Sequence, residues 1–561
     1  MKPCLSDLKN TQFVLFTGLL IACCLTLPTQ AAEDITGFWD IEMAFGKQTF
    51  TSKLSITRNG SGKLTGTWTS RRGTGALSDV QFKDGKLTFT RKGIRNGEAW
   101  TSTYEGTLSS DALTGVMKSS RGEITANGRR SKSGQLKATP ANTPAKIVNP
   151  SRSETITPIR NETFNKNGTF KERRQGGNPR QVAGYLAFDG SMDGNRQVDP
   201  QIAVGGGYVL HGTNSGLIIY DKEGHFVQGV HQNCFNGGID PKLFFDRHNG
   251  IFGFDLWKYW DEEKLKPVNI SVSETNDPRG AWNTYPVSAS GGRDGGGIGY
   301  SKTWIGYSFP GGPEQTFVLK TAEAKAGVPT TVYHFPGSLG HPVLTQDDTE
   351  DLYFFHVSNT HFTIRRVTDS GDGTPQSVLV TSRLHGLSTV GYPPQSPQKG
   401  TEQKTSSGDR NPKNLVLQNG YLWFSQAVNH KGKSAVQWHQ VKTDGSIVQT
   451  GLISDPSTNY IQTTIAVNKN EDVLVGFQET NENMYISPRL AFRLSTDPKG
   501  QLRDIVALGE GQGATDGVSW GDYSGSVVDG DNMLDLWTIQ SITDTGGKGD
   551  TVIVRVPFGA R

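Results

Sequence analysis

Cysteine is nearly absent where it could staple a fold. Cys4, Cys23 and Cys24 fall in the first 24 positions, and only Cys234 lies in the body of the 561-residue chain. A mature form cut near Ala31 or Ala32 therefore carries no intrachain disulfide. Cys234 then reads as a lone buried thiol rather than a nucleophile. Long hydrophobic runs are also missing. The apolar stretch Phe13 to Leu27 is short for a membrane span, and nothing later resembles one. Charge of one sign is not in excess. Lys and Arg total 57 against 54 Asp and Glu, a net charge of +3, which argues against a dedicated nucleic-acid surface. The 11 His residues show no tight metal-ligating spacing such as HExxH, so the sequence indicates no zinc site.

What is present is turn-rich and soluble in character. Hydrophobic residues make up 34%, charged residues 20%, and there are 69 Gly. The length calls for more than one domain.

Residues 1–32 read as a signal peptide. Lys2 and Lys9 precede the apolar stretch, Pro28 breaks it, and Thr29-Gln30-Ala31 supplies small residues at the cleavage spacing. The expected location is secreted or periplasmic. A competing reading takes Leu20-Ile21-Ala22-Cys23 as a lipobox, with Cys23 lipidated.

Residues 33–131 alternate apolar and polar positions between Gly, Asn and Asp turns. Phe50, Ser52, Leu54 and Ile56 share one strand face, and further short strands follow to Met117. About eight strands are expected, enough for a small antiparallel sheet to close into a barrel. Gly37-Phe38-Trp39 resembles the GxW signature of lipocalin-like barrels. That resemblance implies a late Arg packed over Trp39, either Arg129 or Arg130. The interior is then either a pocket for a small apolar ligand or a core filled by side chains.

Residues 132–180 are rich in Pro, Ser, Thr, Asn, Lys and Arg and lack apolar periodicity. They read as a flexible linker. Asn161-Glu162-Thr163 and Asn167-Gly168-Thr169 match the glycosylation acceptor pattern, which matters only in a eukaryotic secretory route.

Residues 181–561 repeat a unit. A Pro-containing or turn-like start, often Asp-Pro, leads into an apolar strand, then a Gly or Asn turn and a second strand, then a third. Ile202-Ala203-Val204 with Tyr208-Val209-Leu210 begins the series, and Val527-Val528 with Leu536 to Ile539 ends it. Seven units recur. The expected fold is all-β, a seven-bladed β-propeller preceded by the small barrel. WD40 and kelch signatures are absent. Ser273-Glu274-Thr275-Asn276-Asp277-Pro278-Arg279-Gly280-Ala281-Trp282, the Asp-Pro starts and Trp520-Gly521-Asp522-Tyr523-Ser524 resemble a group of bacterial secreted β-propeller proteins. The first of these segments also resembles the Asp-box of sialidases, with a longer Ser-to-Asp spacing and in a single copy. The sialidase arginine triad and tyrosine nucleophile have no counterparts that can be placed.

Propellers bind ligands at the mouth of the central channel, where the innermost strands begin. The repeat starts therefore supply the candidates. Asp240, His341, Arg410, Asp522 and Tyr523 are the acid/base set. Asp199, Asp294 and Asn411 are polar ligand-binding positions, and Trp257, Trp260 and Trp304 are candidate sugar-stacking platforms. The bland reading of each Asp-Pro is a turn whose carboxylate caps backbone amides. A carboxylate ring of this kind can hold a divalent cation such as calcium, and Asp529-Gly530-Asp531-Asn532 is a second calcium candidate.

Three functions compete: a hydrolase or lyase on extracellular polysaccharide, a non-catalytic cell-surface glycan-binding or adhesion protein, and an interaction scaffold. The expected partner is a polysaccharide or surface glycan, without nucleic acid, and the expected state is a monomer.

Overall fold

A computed structural model of the chain describes residues 34–45, 48–60, 62–70, 73–95, 98–119, 122–131, 146–161, 176–190, 199–257, 267–289, 296–309, 314–358, 360–387, 391–409, 412, 414–515, 520 and 524–559. The chain divides into two compact units, one largely within the first 134 residues and one beyond them. Strands dominate both. The α-helix among the described residues is the short Thr321–Ala326, and no described helix is long and apolar enough to cross a membrane.

The first unit holds a nine-stranded antiparallel sheet, one strand more than about eight. Gly37–Phe45 sits mid-sheet between Gln48–Arg58 and Gly122–Ser131. The two edge strands, Gly73–Ala76 and Ser78–Lys83, are separated in sequence by Leu77 alone, so the sheet comes nearly full circle. Strand alternation puts Trp39, Ile41, Leu54, Ile56, Leu87, Phe89, Leu108 and Leu113 inside, all buried. These side chains form one buried apolar cluster among the described residues.

The second unit is a propeller-like ring of sheets, each a meander of adjacent antiparallel strands. Five such sheets stand separately, not seven. They open with the inner strands Gln201–Gly205, Ile239–Asp246, His341–Pro342, Asn459–Val467 and Gly525–Val528. The two other expected units, opening at Gly297–Tyr300 and Leu415–Gln418, are merged into one ten-stranded sheet. Leu344–Thr345 lies between them and pairs in parallel with both. The expected count fails here because the chain after Pro342 leaves its own sheet and satisfies its backbone on two neighbours.

Apolar cores lie between successive meanders, which is why the inner and middle strands are buried on both faces. Phe244 and Ile270 pack with Tyr300 and Ile305, and Trp423 and Val436 pack with Ile465 and Val475. The ring closes where Tyr185–Asp189 joins Gly549–Val556 in the final sheet, with Phe188, Ile539 and Ile553 packed on Ile202 and Ile218.

The expected linker is corrected in its described part. Ile147–Val148, Arg152–Ile156 and Ile159–Asn161 are strands, each added to the outer edge of a different sheet, and Gly177–Val182 extends the last sheet. Their composition gives no apolar period because one neighbouring edge, rather than a buried face, holds them.

Candidate functional site

Gly297–Tyr300, Leu344–Thr345 and Leu415–Gln418 run parallel. Side-chain amides tie the starts of different sheets: Gln201 Nε2 donates to the Ser524 carbonyl, Asn414 Nδ2 to the Ser526 carbonyl and Gln462 Nε2 to the Trp520 carbonyl, each at 3.2 Å.

Three candidates from the sequence meet here. Asp240 opens its strand in the left-handed region, with φ of 54°, at a β-bulge between Ile239 and Lys242. The bulge turns Asp240 toward Trp257 on the paired strand, whose indole Nε1 donates to Asp240 Oδ2 at 2.8 Å. The Asp240 N–H donates to Asn214 Oδ1 at 2.7 Å, and Asn214 Nδ2 donates to Asp199 Oδ2 at 2.9 Å. Asp199 is buried and Trp257 half-buried. One amide thus links two carboxylate residues from neighbouring sheets, and the second of these holds an indole. Asn214 has no place in the sequence reading. It sits in Thr213-Asn214-Ser215-Gly216, a hairpin turn like many others in the chain.

Beneath this group lies Asp255, wholly buried and paired across the strands with Lys242. Neither Asp255 oxygen has a hydrogen-bond partner. Burial drives its carboxyl well above the usual range, and the Asp240 charge adds to this while Lys242 opposes it. Burial thus favours the neutral form of Asp255 behind the site, while Asp240 lies at its front.

The remaining candidates scatter. His341 is half-buried and opens the inner strand of a different sheet, opposite Phe355. Trp304 is corrected: it is 1% exposed and packs among Val318, Phe335, Leu352 and Phe354, so no sugar can reach its face. Asp294, Trp260, Arg410, Asn411, Asp522 and Tyr523 lie outside the described residues.

The second calcium candidate holds an ammonium. Lys222 Nζ lies 2.7 Å from Asp529 Oδ1 and 2.6 Å from Asp531 Oδ2, while Asp531 also accepts the Gly206 and Gly207 N–H groups. No group of three or more metal-ligating side chains occurs among the described residues. Histidines serve locally: His231 Nδ1 accepts the Asn233 N–H, and His225 bonds Asp221. Burial raises the Cys234 thiol above its ordinary value, which disfavours the thiolate a nucleophile needs.

The Asp-box-like segment forms a hairpin turn. Asp277 accepts the Arg279 N–H and holds its guanidinium, and Trp282 Nε1 donates to the Pro278 carbonyl at 2.9 Å.

No family model and no curated protein matches the chain. Several solved structures are similar. A protein of unknown function from Dyadobacter fermentans is 12% identical, covers 74% of this chain and 98% of its own, and has a TM-score of 0.32. AztD from Citrobacter koseri is 10% identical over 84% of this chain and 96% of its own, with a TM-score of 0.27. An α-L-arabinofuranosidase from Clostridium thermocellum is 13% identical over 48% of this chain and 94% of its own, with a TM-score of 0.26.

Proposed function

We propose that the channel mouth binds extracellular polysaccharide or a surface glycan, with Trp257 as the stacking platform and Asp240 as the acceptor for sugar hydroxyls. The observation that carries this reading is the 2.8 Å bond from the Trp257 indole to the Asp240 carboxylate. A pyranose presents C–H groups on one face and hydroxyls at its rim, and an indole edge-bonded to a carboxylate answers both. Asn214 fixes the Asp240 backbone, so the acceptor is in place before the sugar arrives. The ring is read as seven-fold, the ten-stranded sheet counting as two blades that share the strand Leu344–Thr345. The signal-like N-terminus supports export to the periplasm or beyond.

A second reading, a glycoside hydrolase or polysaccharide lyase, is favoured by the pairing of Asp199 and Asp240 through one amide, since hydrolases use two carboxylates across one bond.

One experiment separates the two. The purified protein is titrated with a panel of acidic and neutral polysaccharides, with and without EDTA, following binding by calorimetry, reducing ends, and absorbance of unsaturated products. Binding without products, weakened at least tenfold in Trp257→Ala, supports the glycan-binding reading. Reducing ends without unsaturated products mean a hydrolase, unsaturated ends mean a lyase, and loss of either signal with EDTA would assign a cation to the site. Undiminished binding by Trp257→Ala would remove the site from the mouth.

A further inference from the structure

Residues 146–161 run as a strap over three sheets. Ile147–Val148 pairs with Pro375–Leu384, Arg152–Ile156 with Thr330–Phe335, and Ile159–Asn161 with Trp282–Val287. Val148 and Ile156 pack on the cores beneath it, whereas Ile147 and Ile159 are exposed. Besides Asn161 Nδ2, which donates to the Cys234 carbonyl, arginines hold it at two points. Arg160 makes a two-pronged bond to Glu274, at 2.6 and 3.0 Å. At the other point Arg152 Nε donates to Glu314 Oε2 at 2.7 Å, and Ser151 Oγ donates to Glu314 Oε1 at 3.0 Å.

His334 sits under this second point, 1% exposed. Its Nε2 lies 2.9 Å from Glu154 Oε1 and its Nδ1 lies 3.3 Å from Arg152 Nη2. A guanidinium only donates, so Nδ1 accepts, and the ring hydrogen on Nε2 is donated to Glu154. The imidazole is neutral in this arrangement. A second proton, on Nδ1, would remove the acceptor for Arg152 and set imidazolium against guanidinium. The groups facing the ring are Arg152 and Glu154 on the strap, Glu314 ahead of Thr316–Lys320, and the Phe317 ring at 5.7 Å. Burial and Arg152 disfavour the imidazolium and outweigh the two carboxylates.

We propose that neutral His334 latches the strap 146–161 to the ring and that protonation of His334 releases it. The latched ring binds a proton less readily than an exposed imidazole. Latching is therefore complete above about pH 6.5 and is lost as pH falls below it. Glu314 stays charged through this window, because its hydrogen bonds from Arg152 and Ser151 outweigh the effect of burial. Release uncovers the outer edges of three sheets, which are then open to another strand.

The test is hydrogen–deuterium exchange of the full chain at pH 7.5 and 5.0, corrected for the intrinsic pH dependence of exchange. Peptides covering 147–161 should lose protection about tenfold at the lower pH, the factor that one pKa unit sets. Peptides covering Leu415–Ile453 should keep theirs. The His334→Gln variant, neutral at both values, should abolish the difference. Should that variant fail to fold, Arg152→Gln serves, since it removes the cation facing Nδ1 and should shrink the difference as well. Strap protection that is equal at both values in the wild type, or an undiminished loss in a folded variant, would overturn the proposal.

Discussion

Arg130 lies over Trp39, its guanidinium carbon 4.3 Å from the ring centroid. The same guanidinium donates to the Thr36 carbonyl at 2.8 Å, to the Asp34 carbonyl at 2.6 Å and to Asp111 Oδ1 at 2.7 Å. The Trp39 indole in turn donates to the Ile35 carbonyl at 3.1 Å. The segment that enters the first strand is thus tied to the last strand of the barrel by one side chain. Gly37 makes room for it: φ is 118°, and a Cβ there would stand 3.3 Å from Arg130 Nη1. Replacing Arg130 by Met should destabilise the barrel by about 1–3 kcal/mol, through lost charge-assisted bonds and the lost cation–π contact. Replacing it by Lys should recover little, because an ammonium lacks the planar fork. Thermal unfolding followed by tryptophan fluorescence measures both. Equal melting of all three proteins would contradict the role given to the fork.

Tyr104 points the other way. Its ring stacks on Phe89 at 4.8 Å, but its hydroxyl is buried with no hydrogen-bond partner. Tyr104→Phe removes only the unsatisfied oxygen. It should leave the barrel as stable or stabilise it by about 1 kcal/mol. Tyr285, also buried, donates to the Val328 carbonyl at 3.0 Å, so Tyr285→Phe should cost about 1 kcal/mol. Parallel denaturant titrations of the two variants check the contrast, and a loss in both would show that the Tyr104 hydroxyl has a partner in solution.

Asp255 gives a pH dependence of definite sign. Its folded-state pKa is raised, so the folded protein holds this proton more tightly than the unfolded chain. Its contribution is favourable at low pH and is lost as pH rises. Asn imitates the neutral acid. Asp255→Asn should therefore gain on the wild type at pH 8, and the gain should narrow towards pH 4. Melting temperatures across that range decide the matter. A variant less stable than wild type at pH 8 would mean that Asp255 is ionised against Lys242.

Asn214 is the residue on which the site's order depends. Asn214→Ala breaks the links to Asp199 and to the Asp240 N–H together. Glycan affinity should fall about tenfold, the equivalent of one hydrogen bond's worth of positioning at about 1.4 kcal/mol. The rest of the ring should melt as before. Unchanged affinity would leave Asn214 as a turn residue only.

Much of the ring is legible in the sequence because its inner strands are buried on both faces. Runs such as Ile202-Ala203-Val204 and Leu243-Phe244-Phe245 tolerate nothing polar, and the structure makes strands of both. The count of separate sheets is not legible in the same way. It turns on the short strand Leu344–Thr345, whose backbone pairing with two neighbours leaves no trace in side-chain pattern. The strap escapes notice for a related reason: Arg152-Ser153-Glu154-Thr155-Ile156 is chosen by the edge it meets. At the site, Asp240 and Trp257 stand out through the Asp-Pro start and the scarcity of tryptophan. Trp304 stands out equally and is core, since residue type alone does not say which side of a strand faces a neighbouring sheet.

The seam of the ring has a consequence for biosynthesis. Leu186 pairs with Arg555 and Asp189 with Val552, so the first ring strand waits for the last to be made. Every other sheet of the ring takes its inner, middle and outer strands from one continuous stretch and can form as the chain emerges, apart from the strap and the strand shared around Leu344. Until the ribosome passes residue 556, Tyr185–Asp189 is paired with Gly177–Val182 on one side and open on the other, beside the apolar faces of Phe188 and Ile202. The slow and aggregation-exposed step of folding is then this single closure over the longest loop in the molecule, not the assembly of any one sheet.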